Sequence, residues 1–263
     1  MLEFDDRLGG PRIAYRLDGA MDEISPTGFF WLGGFKSDMA GTKAEALADL
    51  ARETRRNLLR FDYAGHGESE GLFVDGSISL WLEQATHMFL GHSKNQRIVV
   101  GSSMGGWLAL LLLRKLMAED PVAARRIAGL VLLAPAADIT RDLMWDGFSA
   151  NIREELRVRG VYHRPSAYGE PYPITLKLLQ DGDDHLLLKD GLNVTCPVRI
   201  LQGSDDVDVP PSHAVKTFEA LTGSDVTLTF IKGGDHRLST IVQLRIIQET
   251  VLRMAERSDG IRP

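Results

Sequence analysis

Two serines of this chain lie in the pattern Gly-x-Ser-x-Gly, which is typical of a serine that attacks an acyl carbonyl. Ser69 lies in GESEG, residues 67–71, and Ser103 lies in GSSMG, residues 101–105. A serine hydroxyl attacks a carbonyl only when a base removes its proton and nearby N–H groups hold the oxyanion. One active site needs one such serine, so the neighbouring elements must decide between the two.

The sequence around Ser103 predicts the sharp strand-turn-helix that such a nucleophile requires. RIVV, residues 97–100, is typical of a buried strand, and WLALLLLRKLM, residues 107–117, is typical of an apolar helix. Gly101 and Gly105 would let the strand and the helix approach each other closely. Free N–H groups at the start of the helix favour developing negative charge. We therefore predict Ser103 as the nucleophile.

Ser69 lacks this setting. Its segment follows GHG rather than a strand and precedes LFVDG rather than a helix. Glu68 and Glu70 would also oppose an alkoxide on the serine between them. We interpret Ser69 as a polar loop residue, and Ser102, beside the predicted nucleophile, as a small packed residue.

The catalytic acid is expected just after a later strand, because in this arrangement the acid follows the serine in the chain and precedes the histidine. PVRILQG, residues 197–203, predicts such a strand, and SDDVDVP, residues 204–210, follows it. The pattern G-x-x-D-x-x-V-P selects Asp206. Asp205 and Asp208 are interpreted as turn residues that bond the local backbone.

Two histidines follow that acid in the chain, His213 and His236. His236 comes after the predicted strand VTLTFI and the loop KGGD, where the base is expected, and Asp206 would hold its tautomer and stabilise its imidazolium. His213 follows two prolines at a predicted helix start and is interpreted as a surface or capping residue. His66, within GHG, is interpreted as a structural turn residue near the site.

An oxyanion hole requires two N–H groups near the nucleophile. Met104, directly after Ser103, should supply one of them. The loop WLGGFKSDM, residues 31–39, follows an early predicted strand and should supply the second N–H group, which we assign to Phe35. The alternative is that Gly33 and Gly34 simply form a turn.

The elements that must position these residues alternate between strands and helices. Short apolar runs predict strands at 28–34, 57–63, 97–103, 127–135, 197–203 and 226–234. Helical spacing of apolar residues predicts helices at 37–56, capped by Ser37, and at 76–90, 104–119, 211–222 and 239–257. This alternation predicts an α/β fold, with a mostly parallel sheet covered by helices on both faces.

Residues 136–190 interrupt the alternation with a polar stretch that contains no clear strand and is too long for an ordinary connection. We expect a short helical cap over the sheet edge, with residues 1–135 and 191–263 forming the core domain. A surface excursion without a function is the alternative.

Four aromatic residues of this segment would line an acyl pocket or pack the cap onto the core: Trp145, Phe148, Tyr162 and Tyr168. Four arginines are interpreted as a solvated face, with contact to an anionic group as the alternative: Arg153, Arg157, Arg159 and Arg164.

Composition excludes several other classes of function. The net charge of −6 disfavours nucleic acid as a partner, and no apolar run approaches the roughly 20 residues of a membrane span. No Cys or His spacing suggests zinc, so neither a metal nor a cofactor is expected. Cys196 is the single cysteine, and the acidic start MLEFDDRLGG does not resemble a secretory signal. These two features together predict a cytoplasmic protein.

Five blocks of the sequence resemble a known family: GGFKSDMAGTKA, RFDYAGHGESEG, GSSMGGWL, RGVYHRPSAY and CPVRILQGSDDVDVP. They are similar to the α/β-hydrolase superfamily and, within it, to the branch of mitochondrial abhydrolase-domain acyl-protein thioesterases, also described as acyl-glucuronide esterases. The resemblance spans roughly residues 28–250. It implies the α/β-hydrolase fold and a hydrolase of acyl esters or thioesters, with Ser103, Asp206 and His236 as the triad. The first residues do not resemble a transit peptide, so we do not expect the mitochondrial location of that branch.

The expected function is therefore a serine esterase or thioesterase that forms an acyl-enzyme, acting on a small acyl ester or thioester or on an acylated protein. Hydrolysis of a carbon–carbon bond, and acyl transfer to an acceptor other than water, are alternatives that use the same triad. A non-catalytic binding module with this fold is a third alternative.

Overall fold

The computed structural model describes residues 1–19, 26–166 and 169–260. These residues form ten strands: β1 (Leu2–Asp5), β2 (Ile13–Gly19), β3 (Gly28–Leu32), β4 (Asn57–Phe61), β5 (Arg97–Ser102), β6 (Ile127–Leu133), β7 (Val161–Ser166), β8 (Gly169–Thr175), β9 (Val198–Gly203) and β10 (Val226–Ile231). Eight of them form one sheet in the order β1-β2-β4-β3-β5-β6-β9-β10. Within it, β2 pairs antiparallel with both β1 and β4, and the other neighbours are parallel.

The described ranges contain eight α-helices: α1 (Thr42–Glu53), α2 (Ile78–His92), α3 (Met104–Glu119), α4 (Pro121–Ala124), α5 (Ala150–Arg159), α6 (Leu176–Asp183), α7 (Pro211–Ala220) and α8 (Ile241–Ser258). A 3₁₀ turn at Phe73–Asp75 and a π-helical segment at Thr140–Trp145 complete the helical elements. None of the helices in these ranges combines the length and the apolar character needed to cross a bilayer.

The central strands are buried on both faces, which explains their continuous apolar sequences. Phe30 of β3 and Val99 of β5 belong to one cluster with residues of α2 and α3. Their neighbours Phe29 and Ile98 point the other way and belong to a second cluster with residues of α1 and α8. Successive strand residues alternate between faces, so each strand ties both helical layers to the sheet. The fold is therefore the predicted parallel α/β sheet with helices on both faces.

The structure contains every predicted strand and helix of the core, and it adds β1 and β2 before them. The predicted cap of the first helix is wrong, because α1 begins after Gly41 rather than Ser37. Ser37 instead donates its hydroxyl to the carbonyl of Gly34 at 2.9 Å and so closes the turn that leaves β3.

Residues 136–190 differ from the purely helical prediction. They include α5 and α6, but β7 and β8 between them form an antiparallel hairpin. Prolines interrupt both strands, in VYHRPS and GEPYPIT, so the sequence shows no apolar alternation; a two-stranded ribbon tolerates proline because its strands are edges. Met144, Leu156, Ile174 and Leu179 form a small buried cluster here, and Phe35 from the loop after β3 packs against it.

Candidate active site

Five predicted site residues follow the carboxyl ends of neighbouring parallel strands. Phe35 follows β3, Ser103 and Met104 follow β5, Asp206 follows β9 and His236 follows β10. Because parallel strands present their carboxyl ends at one edge of a sheet, the topology brings these distant segments together.

Ser103 occupies the turn between β5 and α3 in a strained backbone conformation. Its φ of 55° and ψ of −120° lie in a region that non-glycine residues rarely adopt. Its N–H donates to the Leu133 carbonyl at 2.9 Å, and its own carbonyl accepts from Gly106 at 2.9 Å and Ala136 at 3.1 Å. These three hydrogen bonds hold the turn in place, so that the hydroxyl points away from the sheet towards the histidine.

The two glycines that flank this turn are required by the close approach of the backbone. A methyl group on Gly101 would lie 2.2 Å from the Gly105 carbonyl oxygen. A methyl group on Gly105 would lie 2.1 Å from the Leu32 carbonyl oxygen. Both distances are shorter than any real contact of a Cβ atom, so only glycine fits at either position.

The structure places Ser103, His236 and Asp206 in one hydrogen-bonded chain. The Ser103 Oγ lies 3.1 Å from His236 Nε2, and His236 Nδ1 lies 2.9 Å from Asp206 Oδ2. With Nδ1 protonated, the imidazole donates to the carboxylate and leaves Nε2 free to accept the serine proton. The Asp206 side chain is fully buried, whereas 22% of the His236 side chain is exposed. The imidazole therefore lies between the buried acid and the open side of the site.

The carboxylate of Asp206 is held by more than the histidine. Its Oδ1 accepts from the N–H groups of Asp208 at 3.0 Å and Val209 at 2.8 Å, and its Oδ2 accepts from Gln202 Nε2 at 2.9 Å. Burial alone raises the pKa of this carboxyl, but its hydrogen bonds, foremost that from His236, outweigh burial and lower the pKa below its ordinary value. The group therefore stays ionised and can stabilise an imidazolium.

Gln202 was not predicted as a site residue. It is a fully buried polar residue at the end of the apolar strand β9, and its side chain also donates to the Val209 carbonyl at 3.0 Å. A polar residue directly after the apolar pair Ile200 and Leu201, at the end of a strand, is the signal that would have identified it.

The loop after β3 runs beside the nucleophile. A methyl group on Gly34 would lie 3.3 Å from the Ser103 Cβ, and Phe35 follows directly. The Phe35 ring contacts the rings of Phe73 at 4.9 Å and Trp81 at 6.0 Å between centroids, which anchors the loop. Met104 is the first residue of α3, so its N–H is one of the unpaired donors at a helix start. The two residues predicted to supply the oxyanion donors therefore belong to segments that adjoin Ser103, the loop after β3 and the first turn of α3.

Ser69 is a structural link in a loop. Its hydroxyl donates to the Asp62 carbonyl at 2.6 Å and accepts from the Ala14 N–H at 2.8 Å. These bonds join β2 to the segment that follows β4. Ser102 is 6% exposed, as expected for a small packed residue.

His213 is not the surface or capping residue that its position after two prolines suggested. It is 3% exposed, and its Nε2 lies 2.7 Å from the Ala137 carbonyl oxygen. The residue was misplaced because its partner is 76 positions earlier in the chain and gives no local signal.

His66 is buried beside the loop after β3. Its Nε2 accepts from the Lys36 N–H at 3.1 Å, and burial lowers the pKa of its imidazole to about 4. The neutral ring therefore serves as a hydrogen-bond acceptor that holds this loop, in addition to the turn role predicted for it.

Three of the four aromatic residues predicted to line a pocket contact side chains within residues 136–190. Phe148 and Tyr162 pack edge to face at 5.6 Å, and the guanidinium groups of Arg153 and Arg157 lie over Trp145 at 5.4 and 5.5 Å. Tyr168, the fourth predicted pocket residue, lies outside the described residues.

Tyr172, which was not predicted, contacts the Phe35 ring at 5.8 Å. This contact brings the hairpin of the insertion next to the loop after β3. Over the described ranges, no group of three or more His, Cys, Asp and Glu side chains is arranged to hold a metal ion.

Comparisons with known proteins agree with this architecture. The model of the Alpha/beta hydrolase family matches residues 27–244. A solved structure described as a putative hydrolase from Agrobacterium vitis S4 is 38% identical, with a TM-score of 0.91 over 97% of this chain and 100% of that chain. The structure of mouse alpha/beta hydrolase domain-containing protein 10 is 27% identical, with a TM-score of 0.84 over 98% of this chain and 99% of that chain.

The palmitoyl-protein thioesterase ABHD10 of Bos taurus is 29% identical over 256 residues, which are 95% of this chain and 78% of that protein. It and the four other mammalian relatives found are each described as mitochondrial, which contradicts the cytoplasmic location predicted from the sequence. The premise of that prediction was wrong. A chain with one cysteine forms no internal disulfide in any compartment, so its cysteine content does not indicate where it is located.

Proposed function

Because this chain belongs to the alpha/beta hydrolase family and is a hydrolase, we propose that it cleaves thioesters or esters of carboxylic acids through an acyl-enzyme on Ser103. The observation that carries the proposal is the hydrogen-bonded chain from the Ser103 Oγ through His236 to Asp206, with distances of 3.1 and 2.9 Å. Both distances are within the range for proton transfer between heavy atoms.

In the acylation step, His236 Nε2 takes the hydroxyl proton as the Ser103 Oγ attacks the acyl carbonyl. The imidazolium that forms is stabilised by the ionised Asp206. His236 then gives the proton to the leaving thiol or alcohol, and the acyl group remains on the serine. Water, deprotonated by the same imidazole, attacks the acyl-enzyme and releases the acid, which restores the serine hydroxyl.

The N–H groups of Met104 and Phe35 are proposed to hold the oxyanion of each tetrahedral intermediate. The first is supported by its place at the start of α3, where unpaired donors and the helix dipole favour negative charge. The second is supported by the closeness of its loop to the nucleophile, since a methyl group on Gly34 would lie 3.3 Å from the Ser103 Cβ.

The proposed substrate class is acyl thioesters, with the acyl group taken up between the core and residues 136–190, which act as a cap. Two observations support it. The relatives at about 28% identity are named as thioesterases of palmitoyl proteins. The rings of Phe35 and Tyr172, one from the core and one from the insertion, form an apolar contact directly beside the predicted oxyanion donor.

Pre-steady-state kinetics test the proposal. With excess p-nitrophenyl ester, the wild type should release a burst of about one equivalent of nitrophenol before the steady rate. Ser103→Ala should lose the burst, and Ser102→Ala, which removes the neighbouring hydroxyl, should keep it. Matched palmitoyl thioester and oxygen ester then rank the two substrate classes, and a β-diketone tests carbon–carbon cleavage. Full turnover by Ser103→Ala would refute the mechanism.

A further inference from the structure

We propose that Lys43 is a positioning residue, whose ammonium group holds the loop of the proposed base His236. This inference rests on the proposed function. Lys43 lies in the first turn of α1, within the GTKA block of the sequence. Its Nζ donates to the Arg237 carbonyl at 2.5 Å, across 194 positions of the chain. Arg237 directly follows His236, so this hydrogen bond fixes the peptide group between Arg237 and Leu238, one residue after the imidazole.

The other side of the histidine loop is fixed by its own turn. Asp235 Oδ1 accepts from the N–H groups of Arg237 and Leu238, each at 3.1 Å. A methyl group on Gly203, at the end of β9, would lie 2.3 Å from the Gly234 carbonyl oxygen, so the loop is pressed against the sheet. Lys43 reaches the loop from a different element, α1. The loop that carries His236 is therefore held against the end of β9 at Gly234 and by the side chain of Lys43 at Arg237.

Lys43 occupies an unfavourable place for a cation. The N-terminal turn of a helix carries partial positive charge, which repels an ammonium group. The residue is also partly buried, and burial lowers the pKa of its ammonium to about 8. The helix dipole and burial thus both disfavour a charged side chain at this position. Residues that are locally unfavourable in this way are often found at functional sites.

Three charged groups face this ammonium: Asp235, Arg237 and Asp206. The two carboxylates favour the charged form, and the Arg237 guanidinium opposes it. Lys43 also places a positive charge within electrostatic reach of Asp206. When the ammonium loses its proton, the hydrogen bond to the loop weakens and this charge disappears, so alignment of His236 with Ser103 should depend on the protonation of Lys43.

The test compares Lys43→Met, which retains most of the side-chain length without a donor, with Lys43→Arg, which keeps the charge. The matched control is Lys94→Met, at an exposed lysine before the start of β5 and so at the opposite end of that strand from Ser103. For each protein, kcat and KM are measured with a p-nitrophenyl ester. The second-order rate of inactivation by a fluorophosphonate is measured from pH 6 to pH 10, together with the thermal midpoint.

We expect Lys43→Met to lower kcat about 10- to 100-fold with KM changed less than about threefold, because displacement of a catalytic group costs rate rather than binding. The wild-type inactivation rate should decline as pH rises through about 8. This decline in the inactivation rate should be absent in Lys43→Met and should occur at higher pH in Lys43→Arg. Lys43→Arg should also recover most of the wild-type kcat. Removal of an unfavourable cation should leave the thermal midpoint unchanged or raised, unlike the loss of a purely structural contact.

Two results would overturn the proposal for Lys43 while leaving the proposed function intact. One is a Lys43→Met enzyme with wild-type kcat and the wild-type pH profile. The other is equal loss in Lys43→Met and Lys43→Arg, with the decline near pH 8 retained in both. If Lys43→Met does not fold, a wild-type rate that stays flat from pH 7 to pH 10 refutes the proposal by itself. A wild type that neither hydrolyses esters nor reacts with the fluorophosphonate would refute the proposed function instead.

Discussion

Replacement of Ser69 by alanine should destabilise the fold and leave the chemistry intact, although Ser69 lies in the same sequence pattern as the proposed nucleophile. The Ser69 hydroxyl joins the Ala14 N–H to the Asp62 carbonyl, at 2.8 and 2.6 Å. Both residues are buried, so loss of the hydroxyl removes a hydrogen-bond partner from two buried backbone groups.

The magnitude follows from the two groups that lose their partner. The Ala14 N–H becomes an unpaired donor in a fully buried residue, which costs about 1–3 kcal/mol. The Asp62 carbonyl loses one hydrogen bond, with a net cost of about 0.5–1.5 kcal/mol. The free energy of unfolding should therefore fall by about 2–4 kcal/mol. For a chain of 263 residues this corresponds to a decrease of roughly 4–8 °C in the thermal midpoint.

The assay pairs thermal unfolding with ester turnover measured well below the unfolding transition. Ser69→Ala should unfold earlier and keep kcat/KM within about twofold of wild type. Ser224→Ala, at an exposed serine, is the matched control and should change neither quantity. Ser103→Ala should show the opposite result, with lost turnover and an unchanged midpoint. Among the described residues, the partner of the Ser103 hydroxyl is His236, which is partly exposed.

A Ser69→Ala protein that retained the wild-type midpoint but lost turnover would contradict this reasoning. It would mean that the hydroxyl acts on the substrate and that its two backbone contacts do not contribute to stability. A Ser69→Ala protein with a lowered thermal midpoint that also lost turnover, measured well below its unfolding transition, would contradict it too. Ser69 would then contribute to the chemistry, as Ser103 is proposed to do.

Three further substitutions test the arrangement around Ser103. Asp206→Asn should keep the fold but lower kcat by about 10³–10⁴-fold, since an amide cannot stabilise the imidazolium. Folding lowers the pKa of the Asp206 carboxyl, so its ionised form stabilises the fold above the ordinary pKa of 3.8, and this stabilisation is lost as pH falls through the lower folded pKa. The difference in thermal midpoint between wild type and Asp206→Asn should therefore narrow in acid. Gly105→Ala should reduce both turnover and thermal midpoint, because the added methyl would lie 2.1 Å from a backbone oxygen, whereas Gly10→Ala, with nothing within 4 Å, should change neither. His66→Leu removes the acceptor of the Lys36 N–H and should slow acylation about tenfold, with His66→Gln less affected; equal rates in both variants would show that this hydrogen bond does not hold the loop.

The core of the fold could be predicted because its signals are local. The strands β3 and β5 contain the continuous apolar runs FFWL and IVV because both of their faces are buried, and glycines lie in the turns that follow them. The edge strand β1 gave no such signal: in LEFD only the last residue is buried. The hairpin of the insertion was also missed, because its prolines remove the alternation that identifies strands.

The candidate site was predictable to the extent that chain order and strand ends determine it. Ser103, Asp206 and His236 each follow a strand whose sequence is recognisable, and parallel topology then brings them together. Contacts that depend on tertiary distance were not accessible. The bond from Lys43 to the Arg237 carbonyl, and the burial of His213 against Ala137, join segments that carry no mutual pattern in the sequence.

Identification of the acylated residue tests the central claim most directly. Wild-type protein is mixed with a palmitoyl thioester, quenched in acid within the burst phase, and analysed by intact mass and by peptide mapping. We predict one added palmitoyl group per chain, located on Ser103 and absent from Ser103→Ala. An adduct on another residue, or steady hydrolysis with no adduct on Ser103 at any quench time, would contradict the account.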